Sequence, residues 1–182
     1  MKLKKVDLKE INLQDRSFRY TLKPVDDRLL FSIREAGIVE PVVVMREGKH
    51  YIPVTGFRRL EAAAKLELSF IPVIELEKTV TRLEAFWQAF FANYGWRAFS
   101  LAEKSLAVKK FLEFGLGWTE IVEKVLVWLD LPPTGRTVEI LTRLAEEENL
   151  LPVIHEKNWK ISAVERIFEF PREERAHNGS GS

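Results

Sequence analysis

The sequence feature that most constrains the fold is the placement of its short β-branched segments, three of which lie within residues 41–74. Residues 41–45 and 50–54 flank a polar turn at residues 46–49 and are expected to pair as a hairpin. Residues 69–74 supply a further short strand. A few short strands form a small sheet, which must bury a face against helices. The sequence therefore predicts an α+β fold with a small mixed sheet in its first half.

Helical patterns fill most of the remaining sequence. Apolar residues at helical spacing predict a helix over residues 27–36, and a run of strong helix formers predicts another over residues 57–66. From residue 79 to about residue 170 the pattern is helical, with breaks near residues 115–117 and 132–135. The second half is therefore expected to be all helix.

These patterns predict four parts of the chain. Residues 1–78 form the α+β domain, in which a polar lead-in at residues 1–26 carries no predicted element. Residues 79–99 form a helical connection, and residues 100–175 form a helical domain. The Gly- and Ser-rich residues 176–182 are expected to be a flexible tail.

Composition excludes several classes of protein. The 182 residues are 46% hydrophobic and 30% charged, which is typical of a globular protein. The sequence contains no cysteine, so disulfides and thiolate nucleophiles are excluded, and three widely spaced histidines do not favour a zinc site. No apolar run approaches the roughly 20 residues that span a bilayer. We therefore expect a cytoplasmic protein without a membrane partner.

Charge is divided unevenly along the chain. Residues 1–99 contain 17 Lys and Arg against 13 Asp and Glu, whereas the remaining residues contain 11 and 14. The first part is net +4 and the second is net −3, within a total of +1. An anionic ligand is therefore better served by the first part.

The start of the helix at residues 57–66 has the features of an anion site. Thr55 and Gly56 precede it, and Arg58 and Arg59 lie in its first turn. A helix N-terminus presents unpaired N–H groups and about half a positive charge, to which two guanidinium groups add fork-shaped donors. Cations there oppose the helix dipole, so either a bound anion or nearby carboxylates must offset them. The carboxylates that spacing leaves open as partners are Glu61, Glu75 and Glu77.

Residues 32–73 contain three motif segments. They are Gly37 with Pro41, then Gly56-Phe57-Arg58-Arg59 with Ala62, and finally Ile71-Pro72-Val73. In this order and at this spacing, the segments resemble the N-terminal domain of the ParB family of chromosome and plasmid partition proteins, which shares its fold with sulfiredoxin. A fourth segment lies on the predicted helical connection, where the family has an acidic residue before an asparagine and this sequence reads Ala92-Asn93.

The resemblance implies a domain that binds a nucleoside triphosphate, typically CTP, with magnesium. The glycine-led helix would hold the phosphates, and Asn93 would help to hold the metal. Ala92 and Trp96 stand where the family has a glutamate and an arginine. Because magnesium prefers carboxylate oxygens, the loss of that glutamate is expected to weaken metal binding and any hydrolysis.

The first half contains further candidate residues. Arg19 lies where the family places an arginine that meets the triphosphate, although it could equally be a surface residue. Glu40 precedes Pro41 and could meet a base edge or be solvated. Aromatic residues at residues 86–99 could stack on bases, but the helical spacing of Phe86 and Phe90 favours core or interface packing.

The second half is similar to a helix-turn-helix domain that follows in the family. Residues 115–125 would form its first helix and residues 137–144 its recognition helix. The candidate DNA-contacting residues are Arg136, Thr137, Glu139, Thr142 and Arg143. The turn between the helices is long and apolar, and the module is acidic, so a helical bundle that contacts proteins is the alternative.

Together these features predict a ParB-like, nucleotide-responsive DNA-binding protein, acting as a homodimer and as a plasmid, phage or genomic-island accessory instead of a full partition protein. The alternatives are an enzyme of the superfamily, either a nuclease or a weak CTPase or other NTPase, and an interaction scaffold with a degenerate nucleotide site. Sulfiredoxin activity is excluded because Phe57 occupies the motif position and the chain contains no cysteine.

Overall fold

The structure, a computed structural model, describes residues 2–169, so the predicted tail at residues 176–182 lies outside the described residues. The chain divides into two compact units. Unit 1 contains the residues up to Arg19 together with Lys23–Asn93, and unit 2 contains Tyr20–Leu22 and the residues from Tyr94 onward. All strands of the described chain lie in unit 1, and the described part of unit 2 is helical, which confirms the predicted fold class.

Unit 1 is built on a four-stranded mixed sheet with the strand order β1-β4-β2-β3. Its strands are β1 (Lys2–Asp7), β2 (Val42–Glu47), β3 (His50–Pro53) and β4 (Phe70–Glu75). β2 and β3 form the predicted antiparallel hairpin, β2 pairs in parallel with β4, and β4 pairs antiparallel with β1.

The lead-in contains strand β1, which corrects the expectation that residues 1–26 carry no element. β1 is an edge strand, and its lysines give it a polar sequence. Exposed lysines are common in edge strands because they prevent pairing with the strands of other chains. Val6 is its buried residue and packs into the core of unit 1.

The described helices of unit 1 are a short 3₁₀ helix (Leu8–Glu10) and three α-helices, namely α1 (Asp27–Ala36), α2 (Phe57–Lys65) and α3 (Arg82–Tyr94). Leu60 and Ala63 of α2 join the apolar side chains of the sheet in one buried cluster. Phe86 and Phe90 of α3 are fully buried, as their spacing predicts for a core helix. This packing fixes α2 against the sheet and thereby places its N-terminus beside the start of β2.

The described part of unit 2 contains four longer helices and one irregular helical segment. α4 packs against α7 and α8, and α7 packs against α9. The elements are α4 (Leu101–Glu113), α5 (Trp118–Glu120), a π-helical turn (Ile121–Val125), α6 (Leu126–Trp128), α7 (Gly135–Leu144), α8 (Leu151–Lys157) and α9 (Ile161–Phe168). None of the helices within residues 2–169 is long and apolar enough to cross a membrane.

A buried carboxylate anchors the N-terminus of α4. Glu103 is 0% exposed and forms a capping box with Ser100. It also accepts two hydrogen bonds from Arg97, at 2.7 and 2.5 Å, and one from the backbone N–H of Leu22 at 2.9 Å. Burial alone would raise the pKa of Glu103, but the hydrogen bonds and the charge of Arg97 outweigh it and hold the pKa below its usual value.

Candidate functional site

The segment that leads into α2 crosses the start of β2. The backbone N–H groups of Val54 and Thr55 both donate to the carbonyl oxygen of Val43, at 2.8 and 3.2 Å. The Thr55 side chain is buried, and its hydroxyl accepts a hydrogen bond from the Val43 N–H at 3.4 Å. The buried Thr55 therefore holds the segment before α2 against the backbone of Val43.

Gly56 is the N-cap of α2, and the backbone conformation at this position favours a glycine whether or not a ligand binds. Its φ of 79° lies in the left-handed region. A Cβ atom at this position would lie 2.9 Å from a methyl carbon of Val42 and 3.4 Å from the guanidinium carbon of Arg59. Among residues 2–169, no side chain caps this helix, and its first turn contains no acidic residue. The site thus has an open helix N-terminus next to two arginines.

Arg58 joins α2 to the start of α1. Its Nε donates to the carbonyl oxygen of Pro24 at 2.8 Å, and its Nη2 donates to Oδ2 of Asp26 at 2.7 Å. Oδ1 of the same carboxylate caps α1 by accepting from the Leu29 N–H at 2.9 Å. That backbone hydrogen bond, with the nearby charge of Arg58, lowers the pKa of Asp26. Asp26 therefore has two structural partners.

Arg59 faces the loop before β2. Its guanidinium donates to the carbonyl oxygens of Glu40 and Pro41, the latter at 3.1 Å, and lies 3.0 Å from the Glu40 carboxylate. The Arg59 side chain is 20% exposed, whereas that of Glu40 is 76% exposed. Burial lowers the pKa of Arg59, and the Glu40 charge opposes this effect. Arginine stays charged at any physiological pH, so Arg59 is a partly buried cation with one solvent-facing anionic partner.

Arg19 meets the same helix from the end of the lead-in. It forms a salt bridge with Glu61 of α2, and its guanidinium carbon lies 5.9 Å from the centre of the Phe57 ring. Glu61 also pairs with Arg16 at 3.5 Å. Arg19 therefore contacts α2 through Phe57 in its first turn and Glu61 in its second.

Each of the three arginines has an acidic partner within unit 1. Glu61, one of the carboxylates that spacing left open, pairs with Arg19 and not with Arg58 or Arg59. Asp26 and Glu40 are the partners that sequence reasoning missed for the two motif arginines. The acidic residue at the N-cap of the first predicted helix was the available signal for Asp26. The carboxylates balance the first-turn cations, and a phosphate would have to be accommodated beside them.

Asn93 lies near the end of α3 and gives a poor metal site. Its side-chain nitrogen donates to the carbonyl oxygen of Ala89 at 2.8 Å, which leaves the amide oxygen as its potential ligand atom. The neighbouring Ala92 supplies no oxygen. Among residues 2–169, no three histidine or acidic side chains gather as they would around a metal ion. One neutral amide oxygen does not fit a magnesium site, since that ion is bound through carboxylates and phosphates.

The candidate DNA-contacting residues lie on α7 of unit 2, and each makes contacts within that unit. Arg136 pairs with Glu139 and Glu165, both at 3.1 Å. Thr137 is buried, and its N–H is capped by the Thr134 hydroxyl at 3.1 Å. The side chains of the other two residues donate to backbone carbonyl oxygens. The Thr142 hydroxyl donates to the carbonyl of Val138 at 2.5 Å, and the Arg143 guanidinium donates to that of Phe168 at 3.3 Å. The guanidinium carbon of Arg143 also lies 4.3 Å from the centre of the Phe168 ring.

Two residues of the predicted aromatic cluster are exposed in unit 2. Trp96 is 84% exposed. Tyr94 is partly exposed and packs edge-on against Trp128, with ring centres 5.4 Å apart. Phe99 is buried and contacts Tyr20 in the same edge-on manner at 5.5 Å. The buried members of the cluster therefore serve as packing, and Trp96 is its most exposed member.

Comparison with known sequences identifies relatives of the chain. The sequence profile described as the ParB N-terminal domain matches residues 1–94. A probable chromosome-partitioning protein ParB from Borreliella burgdorferi is 26% identical over 85% of this chain and 57% of its own length. A probable plasmid-partitioning protein ParB from Thermus thermophilus is 31% identical over 78% of this chain and 48% of its own length. The chain thus spans about half the length of these curated relatives.

Comparison with solved structures gives a distant similarity. A C-terminally truncated chromosome-partitioning protein ParB from Caulobacter crescentus, crystallised with CTP-gamma-S, is 18% identical to this chain. The alignment covers 98% of this chain and 97% of the other, with a TM-score of 0.47.

Proposed function

The chain belongs to the family of the ParB N-terminal domain, and on that premise we propose that unit 1 binds a nucleoside triphosphate, CTP or a related nucleotide, at the N-terminus of α2. The observation that carries this proposal is the start of α2 after Gly56, which has no side-chain cap and has Arg58 and Arg59 in its first turn, with the Arg59 guanidinium beside Gly56. Backbone N–H groups and guanidinium groups are the donors that phosphate oxygens require.

Each part of the site has a defined task in this proposal. The N–H groups of the first turn would donate to the phosphate oxygens, and Arg58, whose side chain is partly exposed, would supply a guanidinium group. Arg59 would contribute charge while its bonds to backbone carbonyls hold the loop before β2. The solvent-facing position of Trp96 makes it a fluorescence probe if ligand binding changes its surroundings.

Magnesium would enter this site with the nucleotide phosphates, because the described residues offer only the Asn93 amide oxygen near the family's metal-binding motif. We therefore propose that binding is retained and that CTP or NTP hydrolysis is slow or absent. The nuclease alternative needs a carboxylate cluster for its metals, which the described residues lack.

Calorimetric titration with CTP, ATP, GTP and UTP, each with magnesium, tests the proposal. We expect heat of binding for at least one nucleotide and at least tenfold weaker binding by Arg58→Ala. Arg34→Ala is the matched control, because it removes an exposed arginine from the last turn of α1 and should leave affinity unchanged. Absence of binding heat for all four nucleotides would contradict the proposal.

A degenerate interaction scaffold is the second candidate function. The observations that favour it are Ala92 and Trp96 at the two motif positions, together with a carboxylate partner for each arginine. The same titration separates the two functions, since a scaffold with a lost site would give no heat with any nucleotide while remaining folded.

We extend the proposal to DNA and to the cellular role. Unit 2 would contact duplex DNA through α7, with the exposed Arg136 as a candidate cation for the phosphates, and the chain would act as a homodimer. The similarity to a plasmid-partitioning protein supports an accessory role for a plasmid, phage or genomic island. Fluorescence anisotropy with duplex DNA, analytical ultracentrifugation and plasmid retention after gene deletion test these three statements separately.

A further inference from the structure

Glu40 and Asp26 are the acidic partners of Arg59 and Arg58, but the structure holds the two carboxylates differently. The Glu40 carboxylate lies 3.0 Å from the Arg59 guanidinium, yet its side chain is 76% exposed. The two carbonyl oxygens that Arg59 also contacts are backbone atoms and stay in place whatever the Glu40 side chain does. The carboxylate is therefore an added, removable partner on the exposed side of a guanidinium that is already anchored from within.

Asp26 is a fixed partner by comparison. One of its oxygens caps α1 and the other accepts from Arg58, so moving it would cost two interactions. Within residues 2–169, the ion pair with Arg59 is the one interaction of the Glu40 carboxylate. A phosphate that approaches the α2 N-terminus would therefore meet one rigid carboxylate and one that can swing into solvent.

We propose that Glu40 is a built-in competitor for phosphate at Arg59 and so sets the nucleotide affinity of the site; this inference rests on the proposed nucleotide-binding function. A carboxylate and a phosphate oxygen seek the same guanidinium N–H groups. Binding must displace Glu40 from Arg59, and the displaced carboxylate still repels the phosphates. Because the competition concerns charge alone, Glu40 weakens binding of all phosphate ligands and does not select among bases.

The expected size of the effect follows from the exposure of the pair. An exposed ion pair of this kind contributes roughly a 1.4- to fivefold factor. Once displaced into solvent, the carboxylate still repels the phosphates, and two unit charges about 8 Å apart in water contribute a further factor of about two. Glu40→Gln keeps the size of the side chain and the backbone carbonyl to which Arg59 donates, so the fold is preserved. We expect it to bind phosphate ligands about three- to tenfold more tightly.

The alternative role of Glu40 is recognition of a base edge. A carboxylate accepts a hydrogen bond from the amino group of cytosine, and in that case the carboxylate would favour CTP. Inorganic tripolyphosphate carries the same type of charge without a base. It therefore separates the competitor, which affects both ligands equally, from a base reader, which affects CTP alone.

The test is calorimetric titration of the full chain and of Glu40→Gln with CTP and with inorganic tripolyphosphate. Glu67→Gln is the control, since it removes the same charge from an exposed side chain just beyond the opposite end of α2. We expect Glu40→Gln to bind both ligands about three- to tenfold more tightly, by a common factor, and the control to bind like the parent.

Three other results would overturn the inference. Weaker CTP binding by Glu40→Gln with unchanged tripolyphosphate binding would make Glu40 a base reader. Unchanged affinity for both ligands would show that Glu40 does not compete, while the nucleotide site itself would stand. Absence of binding by the parent chain and by Glu40→Gln alike would remove the proposed function together with the inference.

Discussion

At the scale of single residues, Gly56 illustrates how one position serves the fold and the candidate ligand together. Its positive φ and its close approach to Val42 are both demands of the backbone. The phosphate-binding reading of the motif explains the glycine through ligand access, whereas the structure shows that the sheet already requires it. The glycine alone is therefore weak support for a ligand, and the arginines around it carry the argument.

Gly56→Ala is expected to lower the free energy of unfolding by about 2 to 4 kcal/mol, from the left-handed backbone and the 2.9 Å contact with Val42 together. Gly48→Ala is the matched control, because Gly48 has a φ of 60° and a Cβ atom there would have nothing within 4 Å. It should lose only about 1 kcal/mol. Urea denaturation measures both, and equal losses would show that contact with Val42 has no cost.

The metal-binding position gives a second prediction at this scale. Ala92 is exposed next to Asn93, so Ala92→Glu adds the carboxylate that magnesium prefers without burying a charge. Nucleotide affinity in the variant should rise severalfold when magnesium is added, whereas the parent should respond less. Titration with and without magnesium measures this, with Ala92→Gln as the uncharged control. An equal response in all three proteins would show that this position does not meet the metal.

The candidate site was only partly predictable from its residues. The glycine and the arginines are adjacent in sequence, so their placement at a helix N-terminus follows from local patterns alone. Their partners are not local, because Asp26 lies 32 residues from Arg58 and Glu40 lies 19 residues from Arg59. Which carboxylate meets which arginine depends on the packing of α1 and the loop before β2 against α2.

At the scale of elements, prediction succeeded where periodicity reflects burial. α1, α2 and the β2–β3 hairpin follow from apolar spacing and a polar turn, and the structure confirms them. β1 was missed because its exposed lysines hide the strand pattern of an edge position. The π-helical turn at Ile121–Val125 also escaped prediction, since its wider hydrogen bonding leaves no simple signature in an apolar segment.

Glu103 supports a prediction about the start of α4. Glu103→Gln should lower the free energy of unfolding by about 2 kcal/mol at neutral pH. This loss is smaller than that for a fully buried ion pair, because the Arg97 side chain is partly exposed. Glu120→Gln removes an exposed capping carboxylate at the start of α5 and should cost at most about 1 kcal/mol. Urea denaturation of both variants measures the difference, and equal costs would contradict a special role for burial.

The same carboxylate predicts the direction of a pH dependence. The pKa of Glu103 is lower in the folded chain than its usual value, so its stabilisation is complete above that usual value and is lost as the pH falls through the folded-state pKa. The Nδ1 of His155 lies 3.9 Å from the same carboxylate. The stability gap between the parent and Glu103→Gln should therefore shrink from about pH 7 to about pH 3. A constant gap would contradict this.

At the scale of the whole molecule, charge decides how the chain can meet nucleic acid. Residues 1–99 are net +4, whereas residues 100–182 are net −3, and the α7 arginines make internal contacts. Phosphate neutralisation supplies most nonspecific affinity for DNA, and each neutralised phosphate steepens the salt dependence by about 0.9 in a plot of log affinity against log salt. The slope of that plot therefore counts the protein cations that contact DNA phosphates.

If α7 supplies the contacts, as we propose, two arginines per protomer give a slope of about −2, and a dimer gives about −4. Arg136→Ala should then make the slope shallower by about one for each protomer bound. The control Arg34→Ala removes an exposed arginine from α1 of unit 1 and should leave the slope unchanged. Fluorescence anisotropy at several salt concentrations gives these slopes. A slope that Arg136→Ala leaves unchanged would contradict DNA contact through Arg136 of α7.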